Sequence, residues 1–91
     1  MKEATCEEAV KQIIEQMKMI IGPVAITQAN LVKGLSANKK VKITGEGYNI
    51  ISQLVERYKL IMGQVALTIA KRSLKELLRK NPKLKVPEEL R

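Results

Sequence analysis

The sequence predicts an all-α fold. Two long amphipathic helices, produced by an internal duplication, form a helical hairpin that assembles as a dimeric four-helix bundle. Three observations carry this expectation. Residues 9–29 (AVKQIIEQMKMIIGPVAITQA) and 50–70 (IISQLVERYKLIMGQVALTIA) are two copies of one pattern, identical at nine of 21 positions, and a repeat fixes architecture before any single residue is read. Apolar or small residues recur at alternating four- and three-residue steps, the spacing of one helix face. Aromatics are nearly absent, with no Phe, no Trp and only Tyr48 and Tyr58. The core is therefore aliphatic, which suits helix packing better than sheet packing.

The 91 residues form at most one domain. The first repeat covers about residues 5–35, a connector 36–46, the second repeat about 47–80, and a basic tail 81–91. Thr5-Cys6-Glu7-Glu8 has the form of a capping box, and its carboxylates suit the positive end of a helix dipole. The apolar seam then runs through Cys6, Val10, Ile13, Met17, Ile20 and Val24 to Thr27 and Leu31. Gly22-Pro23 interrupts it, because proline lacks a backbone donor and crowds the preceding turn. A bent but continuous first helix is the preferred reading, and two helices with Pro23 in the first turn of the second is the other.

Lys39 to Ile43 alternates polar and apolar residues, as a short extended segment does. Thr44-Gly45-Glu46-Gly47 reads as a turn. The second helix carries its seam through Ile51, Leu54, Tyr58, Ile61, Val65, Ile69, Leu74 and Leu77. With Gln64 in place of proline it is expected to run straight, about 50 Å from end to end. Pro87-Glu88-Glu89-Leu90 suggests a single helical turn in a loosely held tail.

Gly22, Ala25 and Ala29 fall on one face, and Gly63, Ala66 and Ala70 repeat the arrangement. Glycine inside a helix costs about 1 kcal/mol relative to alanine. Its recurrence at matched places predicts a close helix crossing on these six residues, with the halves related by an approximate twofold axis. A two-helix hairpin leaves Ile14, Ile21, Val55 and Met62 partly in water, and a homodimer buries them. The competing arrangement is a monomer with four shorter helices, broken at Gly22-Pro23 and Gly63.

The chemistry is sparse. The chain has no histidine, the commonest general base and metal ligand, and its single cysteine cannot build a thiolate zinc site. Cys6 lies on the apolar face as a small core residue. Gly45-Glu46-Gly47 lacks the order of a phosphate-binding loop. No catalytic, cofactor-binding or metal site is therefore expected, and no enzyme activity. Glu15 and Lys18, like Glu56 and Lys59, are spaced for surface ion pairs.

The net charge is +8, which favours acidic partners. Residues 1–70 hold nine basic and six acidic groups, and residues 71–91 hold eight and three. Lys71, Lys75 and Arg79, with Arg72 and Lys80 beside them, form a ridge that can track phosphates without reading sequence. The longest uncharged run, Met19 to Val32, is shorter than the roughly 20 residues of a membrane span, and the acidic N-terminus does not resemble a signal peptide. The resulting expectation is a cytoplasmic, non-catalytic dimerisation or protein-interaction module, for which a regulatory role is one reading. The alternative is a small basic protein associated with nucleic acid.

Overall fold

The computed structural model describes residues 6–38 and 41–91. Thr5 of the expected capping box, and Lys39 and Lys40 of the expected extended segment, lie outside them. Four helices make up most of the molecule: α1 (Cys6–Ile21), α2 (Val24–Asn30), α3 (Gly47–Met62) and α4 (Val65–Lys80). A two-residue antiparallel pairing, β1 (Leu35–Ser36) with β2 (Lys42–Ile43), crosses the connector in the register Leu35 to Ile43. A 3-10 turn, α5 (Glu88–Leu90), closes the tail.

The chain is mostly helical, as expected, but the two long helices are not formed. Each is broken at its glycine. Gly22 has φ +70° and Gly63 has φ +66°, a region that costs an L-residue about 1–2 kcal/mol and glycine nothing. Gly22 N–H donates to Lys18 O at 2.9 Å, and Gly63 N–H donates to Lys59 O at 2.8 Å, closing the helix behind each glycine. The next helix starts immediately. Pro23 (φ −59°, ψ −20°) and Gln64 (φ −63°, ψ −20°) take the same conformation at its entry. Proline is therefore not what breaks the chain: the positive φ of glycine does so at both places, and Pro23 merely suits a helix start.

The burial pattern repeats as closely as the turns. α1 buries Ala9, Val10, Ile13, Ile14 and Met17, and α3 buries Ile50, Ile51, Leu54, Val55 and Tyr58, the residues aligned with them in the 50–70 segment. α2 buries Ala25 and Ala29, and α4 buries Ala66 and Ala70 together with Leu74. Packing is reciprocal: α1 lies against α4 and α3 against α2, with α1 and α3 also in contact. One chain thus supplies four helices around its own core. Ile14 and Val55, expected to need a partner for cover, are 4% and 1% exposed.

At one end the start of α3 touches the start of α1, since a Cβ on Gly47 would run into Cys6. Toward the other, Tyr58 near the end of α3 reaches Ala25 just beyond the end of α1. The helices therefore run in the same sense, and both glycine turns lie toward one end of the molecule. Asn30 organises the connector: its Oδ1 accepts from Ala37 N–H at 2.7 Å and its Nδ2 donates to Asn38 Oδ1 at 2.8 Å. The tail is not loose. Val86 and Leu90 are buried, and Arg91 donates to the carbonyls of Pro82 and Leu84.

Candidate functional site

Two surface features stand out from this frame. The first surrounds the glycine turns. Met19 and Leu60 are each 80% exposed, and Ile20, Ile61, Val24 and Val65 are all exposed. These form three matched pairs across the repeat. Their exposure follows from the helix breaks. Ile20, Val24, Ile61 and Val65 lie on the seam expected for continuous helices. Val24 and Val65 follow the turns, which redirect them, whereas Ile20 and Ile61 lie in the last turns of α1 and α3, where the helices end and the next helix no longer continues along the seam.

The six residues expected at a close helix crossing separate into two groups. Ala25, Ala29, Ala66 and Ala70 are fully buried within the chain's own core. Gly22 and Gly63 are not at a crossing: a Cβ on either would meet nothing within 4 Å. Their role is conformational. The spacing from glycine to alanine that suggested one helical face has no meaning across a turn with positive φ.

The second feature is the basic face of α4. Lys71, Lys75 and Arg79 follow at four-residue steps, and Arg72 and Leu78 flank them within about 120° of the helix circumference. The structure gathers Lys71, Arg72, Lys75, Leu78 and Arg79 with Leu90 and Arg91 around one shallow cleft of about 490 Å³, between α4 and α5. Arg91 was not evident from the sequence as a member, because nothing in the tail's pattern shows that it folds back. Lys80 does not belong. It lies about 180° round the helix from Lys71 and lines a separate hollow with Cys6 and residues 81–85.

The cations of the cleft are unequal. Arg79 pairs with Glu76, its Nη2 3.0 Å from the carboxylate, and this contact holds Glu76 below and Arg79 above their ordinary pKa ranges. Arg91 is engaged with main-chain carbonyls at 3.3 and 2.5 Å. Lys71, Arg72 and Lys75 have no ion-pair or hydrogen-bond partner among the described residues. The charge available for an incoming group is therefore concentrated on three exposed side chains.

Elsewhere the expected Glu56–Lys59 ion pair is present at 3.2 Å, and Glu15 and Lys18 form none among the described residues. Thr27 donates to Pro23 O at 3.4 Å, one turn back. Partial burial pushes the Cys6 thiol up from its ordinary pKa, away from the thiolate that a nucleophile requires. Among the described residues no three His, Cys, Asp or Glu side chains cluster to hold a metal, and no helix is long and apolar enough to cross a membrane. Comparison with known proteins gives no match to a family model, to a curated protein or to a solved structure.

Proposed function

We propose that this chain is a non-catalytic, cytoplasmic protein-interaction module, built from a doubled ancestral unit, that pairs with a second copy of itself through the end carrying its glycine turns. One observation carries this reading: Met19, Ile20 and Val24 and their counterparts Leu60, Ile61 and Val65 are all exposed. Burying one such side chain contributes about 1.5–3 kcal/mol. Association costs about 4–15 kcal/mol in lost freedom, so several must be covered together, and two matched apolar sets at one end supply them. A surface with approximate internal twofold symmetry can meet its own copy set against set, as isologous interfaces do. The helices already bury one another within each chain, so this interface differs from the hairpin pairing expected from the sequence.

Light scattering tests it. The expected mass at high concentration is about twice 10.2 kDa, and Met19→Glu with Leu60→Glu should return it to that of one chain with helicity unchanged. A mass of one chain up to the solubility limit would overturn the proposal.

Sequence-blind nucleic-acid binding has less support. Of the five residues expected to carry it, Lys80 faces away from the others and Arg79 is already paired.

A further inference from the structure

We propose that the cleft between α4 and α5 binds an acidic peptide segment that also carries apolar side chains. This deepens the protein-interaction reading by giving the module a partner of stated chemistry at a second surface. The observation is the combination of two kinds of lining. Lys71, Arg72 and Lys75 stand exposed on the wall without an ion pair or hydrogen bond, and the half-buried Leu78 lies beside them, with the buried Leu90 beneath. Phosphodiester backbone uses the cations and leaves Leu78 without a counterpart. No aromatic side chain lines the cleft, so it offers no platform on which bases stack. A segment bearing Glu or Asp next to Leu or Ile satisfies both: carboxylates meet Lys71, Arg72 and Lys75, and an aliphatic side chain covers Leu78.

The dimensions agree. Lys71 and Lys75 are separated by about 6 Å along the helix, a span that two residues of extended peptide cover. The paired Glu76 and Arg79 close one end of the row. Lys71 and Lys75 therefore match carboxylates placed at alternate positions of an extended chain, with the intervening side chain left for Leu78.

The experiment measures fluorescence anisotropy of a labelled peptide of alternating Glu and Leu against the full chain at low salt. Controls are a Glu/Ser peptide of equal charge, a DNA duplex and vesicles containing phosphatidylserine. We expect the Glu/Leu peptide to bind about tenfold tighter than the Glu/Ser peptide, and Lys71→Glu with Lys75→Glu to weaken it at least about tenfold. These residues are exposed and make no ion pair or hydrogen bond, so circular dichroism melting should show the variant folded. Leu78→Asn should weaken the Glu/Leu peptide and leave the Glu/Ser peptide unchanged. Absence of peptide binding, or equal binding of the two peptides, would overturn the proposal. So would DNA or vesicles binding more tightly than the peptide through the same two lysines. Mass measured in the same samples keeps the two proposals apart. A dimer that ignores the peptide removes only this inference, and a monomer that binds it removes only self-association.

Discussion

The Tyr58 hydroxyl donates to the main-chain carbonyl of Ala25 across 2.7 Å, at a site where both residues are fully buried. It ties α3 to the first residues of α2. The residue aligned with Tyr58 in the 9–29 segment is Met17, which has no hydroxyl, so this bond has no equivalent there. Tyr58→Phe should destabilise the chain by about 1–2 kcal/mol. In urea denaturation the midpoint should fall with the slope unchanged.

Burial also raises the pKa of the Tyr58 phenol above its ordinary value. The unfolded chain then loses this proton at lower pH than the folded one. Between the two values the folded state binds more protons, so stability declines as pH rises. The contribution is complete below the ordinary phenol value of about 10 and diminishes above it. Thermal melting of the native chain and of Tyr58→Phe, followed from neutral to strongly alkaline pH, should converge above that value.

The glycine turns and the buried alanines respond to different forces. Gly22→Ala and Gly63→Ala should each cost about 1–3 kcal/mol from positive-φ backbone alone, and replacement by leucine should cost little more, since the space beyond is open. Ala29→Leu and Ala70→Leu force volume into a closed core and should cost about 1–3 kcal/mol or more. Calorimetric melting of the set should separate the two classes. A leucine at position 22 much worse than an alanine there would contradict the open geometry.

Glu76 places a fixed negative charge beside the cleft. Glu76→Gln should release Arg79 and tighten binding of an acidic peptide by roughly twofold to fivefold. The same change should steepen the dependence on salt and leave the melting temperature nearly unaltered. Anisotropy titrations at two salt concentrations would check this.

Much of the architecture is legible in the sequence, because burial follows the repeat. Val10, Ile13 and Met17 are buried where the helical spacing places them, and so are Ile51, Leu54 and Tyr58. The spacing misleads at Ile20, Val24, Ile61 and Val65. Periodicity assumes that the helix continues: a residue with positive φ resets the phase for Val24 and Val65, and ending the helix there takes away the neighbour that would have covered Ile20 and Ile61. Proline draws attention to the first break, but Gln64 gives no such sign at the second. Only the recurrence of glycine links them, and a helix crossing explains recurrence equally well until the backbone is seen. The basic face was legible as far as Lys71, Arg72, Lys75 and Arg79, which share a helix. Arg91 is not, because its place depends on how a non-periodic tail folds back, and Lys80 is adjacent to the ridge in sequence but about 180° round the helix axis from Lys71.

The seclusion of Tyr58 also gives the molecule a built-in optical reporter. With tryptophan absent, ultraviolet signals come from two phenols, one facing water at Tyr48 and one held rigidly inside. A fixed chromophore in an asymmetric setting dominates near-ultraviolet dichroism, whereas a freely turning one averages toward nothing. That band therefore follows the docking of α3 on α2, and any ligand or second copy that loosens or tightens this seam can be detected without a label.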